Sequence, residues 1–294
     1  MDKKLQQHSL GYYTVVDKPS EEELQNYYTT KYYQDEKGSY SEIYSTEELH
    51  FFRNKIEQKY HLINKSLKSM EEEGKTFLDI GSGEGFALQY FKENGWDVMG
   101  LDYSNFGCRN INPDVLPHLK VGKISDSLDE LIRQNAKFKV LWLINVLEHV
   151  LDPIHLMTQC RQLLEDDGIL AVEVPNDFSS IQQELLRTGR TDDSYWIVVP
   201  DHISYFSVES LVNLMESTGW KEHDIITSYP IDFALFNDDT NYVQDRTKGK
   251  KVHFSRVILE NHLHKISIDK TNDLYRAFAN LGLGRDINGF FTKA

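Results

Sequence analysis

Cysteine is scarce in this chain: 294 residues hold only Cys108 and Cys160, both within segments that read as helices. Two isolated thiols make neither a redox pair nor a metal-ligand set, and no zinc-type spacing occurs elsewhere. They are expected to be buried small hydrophobes in a reducing, cytoplasmic setting, with no structural metal. Long apolar runs are missing too. No stretch of eighteen apolar residues exists, so no membrane span is expected, and the basic start MDKKLQQHSL lacks the apolar core of a secretory signal. Positive charge is also in short supply: 32 Lys and Arg face 46 Asp and Glu, a formal net charge of −14. Such a surface repels phosphate backbones and argues against nucleic acid as a partner. The run Lys248, Lys250, Lys251 reads as a solvated loop. Neither internal repeats nor low-complexity tracts are visible.

What is present is an alternation of short β-type runs with amphipathic helices. The first part of the chain is rich in tyrosine (Tyr12, Tyr13, Tyr27, Tyr28, Tyr32, Tyr33, Tyr40, Tyr44). Two capping boxes, Ser20-x-x-Glu23 and Ser45-x-x-Glu48, open helices there. In the second helix Leu49, Phe52, Ile56, Ile63 and Leu67 recur on one face. Residues 1–74 therefore read as a helical N-terminal cap. From residue 75 strands are expected at 76–80, 97–101, 118–121, 138–144, 169–174 and 225–229, with helices at 84–94, 104–111 and 127–135 and after Asp152-Pro153 and Ser207. This pattern predicts an α/β fold, a doubly wound, mostly parallel, seven-stranded sheet with helical cap insertions. The core spans 75–229, interrupted by a cap insertion at 176–200. Residues 230–294 supply cap helices at 259–264 and 272–281 and a last strand at 289–293.

The sharpest local signal is Phe77-Leu-Asp-Ile-Gly-Ser-Gly-Glu-Gly-Phe86. Gly81, Gly83 and Gly85 fall in a strand-to-helix turn, where glycine allows backbone angles and close approaches that a side chain blocks. The helix start then directs free amides into the crevice at the carboxyl ends of the strands. Asp102 closes the next strand, placed to accept hydrogen bonds from two ribose hydroxyls. A dehydrogenase would use G-x-G-x-x-G, whereas here Asp79-x-Gly81-x-Gly83-x-Gly85 has an acid at the strand end.

That run resembles motif I of the class I S-adenosylmethionine-dependent methyltransferases. Asp97 to Ser104 resembles their second motif, and Leu143 to Pro153 resembles their fourth-strand motif in its Leu-Glu-His form. The resemblance implies S-adenosylmethionine as cofactor and S-adenosylhomocysteine as product. It implies a loop of Asp79, Gly81, Ser82, Gly83 and Gly85 around the methionine end, Asp102 on the ribose, Tyr103 by the adenine, and Asn145 with Val146 under the methionine portion. An adenine contact after the third strand is implied within Gly122 to Asp126.

Methyl transfer to oxygen or carbon needs alignment and a base, and histidine titrates in the right range. Two of eleven histidines stand out by position: His149 after the fourth strand and His202 in Pro200-Asp201-His202-Ile-Ser-Tyr205-Phe206-Ser207. The second run resembles the Glu-His-x-x-Tyr-Phe-Ser segment of sugar C-methyltransferases, which implies His202 as general base supported by Asp201. Val199 replaces that family's tyrosine, and its N-terminal zinc module is missing, so O-methylation fits better. The tail, with Arg256 and Gly282-Leu-Gly284-Arg285-Asp286, loosely resembles methyltransferases of bacterial polysaccharide clusters. Arg256 and Arg285 are candidates to grip an anionic or hydroxyl-rich acceptor. The expected reaction is O-methylation of a sugar, glycan precursor or comparable small metabolite. The alternatives are a C- or N-methyltransferase and a catalytically silent S-adenosylmethionine-binding regulator.

Overall fold

Apolar residues alternate faces along the central strands, and both faces are covered. Phe77, Val140, Trp142, Ile169 and Ala171 belong to one buried cluster. Their chain neighbours Leu78, Leu141, Leu143, Leu170 and Val172 belong to another. A sheet buried on both sides in this way requires helices above and below. The computed structural model describes residues 4–27, 44–67 and 74–294. Tyr28, Tyr32, Tyr33 and Tyr40 lie outside the described residues.

In chain order the strands are β1 (Leu5–Gln7), β2 (Tyr13–Val15), β3 (Thr76–Ile80), β4 (Asp97–Asp102), β5 (Leu119–Val121), β6 (Phe138–Ile144), β7 (Leu164–Pro175), β8 (Ser204–Tyr205), β9 (Trp220–Thr227) and β10 (Asp286–Lys293). The helices are α1 (Glu21–Asn26), α2 (Thr46–Ser66), α3 (Phe86–Glu93), α4 (Phe106–Ile111), α5 (Ile124–Arg133), α6 (Pro153–Leu163), α7 (Ser180–Arg187), α8 (Val208–Ser217), α9 (Gly249–Ile266) and α10 (Ile268–Asn280). The main sheet has seven strands in the order β5-β4-β3-β6-β7-β10-β9. β3 to β7 pair in parallel, while β10 runs antiparallel to both β7 and β9. This is the expected doubly wound α/β sheet. On one face lie α5, α6 and α8 through Leu131, Met157 and Leu214. On the other, α2, α3 and α10 contribute Ile63, Phe91 and Tyr275. Phe77 and Phe91 stack with ring centroids 3.7 Å apart.

Capping boxes close at Ser20, Ser45, Ser179 and Ser207, each satisfying two otherwise unpaired amides. Asp152 caps α6 through the His155 amide at 2.9 Å, with Pro153 at the first helical position.

Several boundaries differ from the sequence reading. The segment before residue 75 is not purely helical: β1 and β2 form a hairpin, and β2 pairs with β8 in a second, three-stranded sheet. α5 starts at Ile124, not 127. β7 begins at Leu164, across a register shift beside Phe138. β9 starts at Trp220 rather than 225. Its first half, Lys221 to His223, is exposed because β9 is an edge strand paired only with β10, so no apolar pattern marks it. α9 and α10 are much longer than 259–264 and 272–281, and β10 begins at Asp286, not 289. In α2 the first-turn Leu49 faces solvent, and Phe51 is the buried residue there.

Candidate active site

The loop after β3 has the left-handed angles that glycine permits: φ is 81° at Gly81, 52° at Gly83 and 77° at Gly85. A Cβ on Gly81 would stand 2.3 Å from Val146 Cγ2, so the loop lies directly on the turn after β6. Beneath it, a Cβ on Gly100 would meet Ser82 Oγ at 2.5 Å and Leu88 Cδ1 at 2.6 Å. The Gly81 and Ser82 amides donate to the Leu101 carbonyl at 2.8 and 3.1 Å. Asp102 joins loop and strand: its carboxylate accepts from the Gly83 amide at 2.8 Å and the Ser104 amide at 2.9 Å. Each oxygen keeps lone-pair capacity for a further donor such as a ribose hydroxyl.

These groups line one cavity of about 560 Å³, within the usual range of ligand pockets. Asp79, Gly81, Ser82, Gly83, Asp102 and Tyr103 border it, as do Asn145 and Val146. Gly85 sits behind them, where a Cβ would reach Cys108 Sγ and Val115 Cγ2 at 3.1 Å. Asn145 takes φ of 55°, a left-handed angle that asparagine tolerates, and its amide donates to the Glu173 carbonyl at 2.9 Å. After β5, Ile124 and Ser125 border the cavity and Asp126 does not, so the first turn of α5 presents a hydroxyl there instead of an acid. α1 covers the mouth: Glu21 and Leu24 border it, Lys123 bonds Glu21 at 2.7 Å and Lys18 bonds the Leu151 carbonyl at 2.8 Å.

Burial and the neighbouring Asp102 push the Asp79 carboxyl up to about 8. Burial also raises Asp102, against the amides of Ser104 and Gly83. Two crowded acids in a dry crevice favour a cationic ligand, because a positive charge recovers what desolvation costs each carboxylate.

Beyond the loop the cavity continues into a chamber with aromatic and charged walls. Phe51, Phe52, Lys55 and Lys59 come from α2, Trp142 from β6 and Glu173 from β7. Arg256 of α9 and Asp286 of β10 close it. The charges are paired: Lys59 with Glu173 at 2.9 Å, Lys55 with Glu260 at 3.4 Å, and Arg256 with Glu260 at 2.6 Å.

His149 borders this cavity, whereas His202 and Asp201 do not line it. His202 stands edge-on behind His149, with ring centroids 4.9 Å apart. His149 Nδ1 lies 2.7 Å from the Asp201 carbonyl oxygen. A carbonyl only accepts, so Nδ1 carries the proton and Nε2, 3.6 Å from Glu148 Oε1, is the basic nitrogen. Burial lowers the pKa of His149, and burial with His149 as neighbour pushes His202 down to about 3. Asp201 Oδ1 accepts from the Tyr27 hydroxyl at 3.2 Å. Glu148, His149 and His202 offer three ligand-type atoms within 4.8 Å of one another.

Residues 49–224 match the family model described as a methyltransferase domain. The chain belongs to that family. Among the methyltransferases similar to it, the C-methyltransferase NovU of Streptomyces niveus is 26% identical over 156 residues, 53% of this chain and 35% of the relative. The ubiquinone biosynthesis O-methyltransferase of Rhodopseudomonas palustris is 30% identical over 128 residues, 43% of this chain and 49% of the relative. The chain thus spans half or less of the length of these relatives. A S-adenosylmethionine-dependent methyltransferase from Archaeoglobus fulgidus shares the fold with a TM-score of 0.51 at 17% identity, covering 85% of this chain and 95% of that one. The plantazolicin methyltransferase BpumL, solved with S-adenosylhomocysteine, gives 0.53 at 14%, covering 92% and 93%. The loop's donors, acceptors and acids suit the amino-acid, sulfonium and ribose parts of S-adenosylmethionine.

Two features of the methyltransferase site escaped the sequence reading. Gly100 does as much to seat the loop as the glycines of the motif; an isolated glycine inside a strand pattern was the available signal. The charged chamber, by contrast, joins residues from 55 to 286; of its walls the sequence singles out only Arg256 as a ligand contact, and no local pattern ties it to the others.

Proposed function

We propose that this methyltransferase moves the methyl group of S-adenosylmethionine to a hydroxyl of a small acceptor, a sugar, glycan precursor or comparable metabolite, with His149 as general base. The reading rests on one observation above all: an imidazole whose Nδ1 is tied to the Asp201 carbonyl borders the cavity between the cofactor loop and the charged chamber. Bound there, the cofactor supplies an electrophilic methyl on sulfur. The protein's part is to hold the acceptor oxygen in line and receive its proton. Desolvation keeps His149 neutral at pH 7, the form that accepts a proton. As the acceptor hydroxyl loses its proton, Nε2 takes it, and the Asp201 carbonyl steadies the imidazolium through Nδ1. His202 backs that ring and Asp201 fixes it, which makes both positioning residues in this reading.

His149→Ala should lower kcat by about 10²- to 10⁴-fold while the S-adenosylhomocysteine Kd stays unchanged. Turnover retained in that variant would overturn His149 as base, and turnover retained in both His149→Ala and His202→Ala would overturn a histidine base altogether. The carbon-13 shift of the transferred methyl separates O-methylation from the C-methylation named for one relative.

A further inference from the structure

Contacts from the N-terminal segment converge on the two runs that carry His149 and Asp201. The Val15 amide donates to the Ile203 carbonyl at 3.0 Å, and the Ile203 amide donates to the Glu148 carbonyl at 2.8 Å. Lys18 reaches the Leu151 carbonyl, on the other side of His149, at 2.8 Å. A third contact is made by a side chain alone: the Tyr27 hydroxyl donates to Asp201 Oδ1 at 3.2 Å. Tyr27 closes α1 with helical angles, and its amide donates to the Glu23 and Leu24 carbonyls. It therefore continues the three-residue spacing of Glu21 and Leu24, the two α1 residues that border the cavity. The backbone bonds fasten Ile203 and Glu148, whereas Asp201 is fastened through its carboxylate. Val198 and Val199, shortly before it, are exposed, so packing does not pin that stretch.

Resting on the methyl-transfer reading above, we propose that Tyr27 is a positioning residue for the base. Its hydroxyl holds Asp201 where the Asp201 carbonyl, 2.7 Å from His149 Nδ1, keeps the proton on that nitrogen. In a neutral histidine the hydrogen bond made by one ring nitrogen decides which of the two is protonated. Here that choice decides function, because only the tautomer with a bare Nε2 can receive a proton from an acceptor in the cavity. The carboxylate contributes as well. Asp201 Oδ1 stands 3.9 Å from His149 Nδ1, close enough to favour the imidazolium that proton transfer creates. Tyr27 keeps this oxygen beside the ring and adds no charge of its own. Carbonyl and carboxylate belong to one residue, so losing the Tyr27 hydroxyl loosens both holds on His149 together. The arrangement also joins the base to the cover of the site. Tyr27 rides on α1, which lies across the cavity mouth, so the helix that closes over a ligand is the one that sets the base.

The test uses the full chain, labelled with nitrogen-15 histidine and loaded with S-adenosylhomocysteine. Nitrogen shifts report the tautomer of each ring, and the His149 signal is the one missing from His149→Ala. Burial lowers the His149 pKa, so at pH 7 the neutral ring is observed. Wild type should show His149 protonated on Nδ1. Tyr27→Phe should raise the Nε2-protonated fraction, with S-adenosylhomocysteine affinity and melting temperature little changed. Asp201→Ala should shift the tautomer as well, and adding Tyr27→Phe to it should do nothing more. Turnover is read as label passed from methyl-labelled S-adenosylmethionine to a panel of methyl glycosides and phenols, and Tyr27→Phe should lower kcat about tenfold. A His149 tautomer unchanged by Tyr27→Phe, or a double variant that shifts it further than Asp201→Ala alone, would overturn the assignment. So would a Tyr27→Phe that weakens S-adenosylhomocysteine or lowers the melting temperature while the tautomer stays put, which is the mark of a merely structural contact. The tautomer needs no turnover to be read. Turnover retained in His149→Ala beside a tautomer that follows Tyr27 would therefore sink the base and spare the contact, and the opposite pattern would sink the contact and spare the base.

Discussion

If Asp79 faces the bound cofactor as proposed, it ties cofactor binding to protons. Without cofactor its carboxyl sits at about 8, so at pH 7 about nine molecules in ten carry it protonated. The sulfonium and ammonium of S-adenosylmethionine favour the ionised acid. If only that form binds tightly, the apparent Kd is the intrinsic value divided by the ionised fraction. The ionised fraction is about 1% at pH 6 and about one half at pH 8 for such an acid, so affinity should rise about 50-fold across that interval. That factor is for Asp79 alone: the cofactor's own α-amino group, with an ordinary pKa of about 8, is about half deprotonated at pH 8, which trims the gain to about 25-fold and ends it at higher pH. Calorimetry in buffers of different ionisation enthalpy should show close to one proton released per cofactor at pH 6 and close to none at pH 8, where uptake by the cofactor amine offsets release from Asp79. Asp79→Asn should bind more weakly at pH 8 and show little dependence on pH. A wild-type Kd flat from pH 6 to 8, or net proton uptake on binding, would refute the reasoning.

The same shift has a consequence for folding, with the sign reversed from a salt-bridged acid. The folded pKa lies above the ordinary aspartate value of 3.8, so the cofactor-free folded state holds its proton longer than the unfolded chain. The contribution is present at low pH and is lost as pH rises from about 4 through 8. Cofactor-free Asp79→Asn should therefore melt higher than wild type at pH 8 and close to it at pH 4.

Other sites give narrower tests. Gly81→Ala puts a methyl 2.3 Å from Val146 Cγ2 at φ of 81°, while Gly95→Ala carries nearly the same φ, 79°, with nothing within 4 Å. Both should lose about 1 to 2 kcal/mol of stability from the left-handed angle, but only Gly81→Ala should weaken S-adenosylhomocysteine, by tenfold or more; equal affinities in the two would sink the close-approach argument. Lys59→Met leaves Glu173 buried without its 2.9 Å partner and should cost about 3 to 5 kcal/mol. Adding Glu173→Gln should recover most of the loss in thermal melts; an additive loss would show that the pair is not the unit.

How far the sequence could be read depends on how local each signal is. β3, β4 and β6 are central strands with their apolar residues in one run, and the glycine turn, Asp102 and the Asp152-Pro153 helix start lie within a few residues of what they act on. Those positions were readable to within a residue or so. β1, β2 and β8 were not, because three- and two-residue strands have no periodicity to detect, and Tyr13 meets Tyr205 only in the folded chain. On the sequence the base falls to His202 ahead of His149, by resemblance alone. His149 and His202 are 53 positions apart, and which one borders the cavity is decided by a contact between the His149 ring and the Asp201 backbone.

β10 shows most directly how one boundary changes a functional reading. A strand starting at 289 leaves Arg285 and Asp286 in a connecting loop, where arginine and aspartate are ordinary surface residues. The strand starts at Asp286, paired with Pro175 at the end of β7, and it runs antiparallel. The first residue of an antiparallel strand stands at the edge where its parallel neighbours finish, so Asp286 is carried to the cofactor edge of the sheet by topology alone. Ser228, just past β9 on the other side, then fixes its carboxylate through a 2.7 Å hydrogen bond. Held between two strands, Asp286 faces Arg256 with its carboxylate 3.9 Å from the guanidinium, which an acid in a loose tail could not do. Two of the tail residues that resembled other methyltransferases only loosely, Arg256 and Asp286, thereby belong to the cavity wall, while Arg285 does not border it.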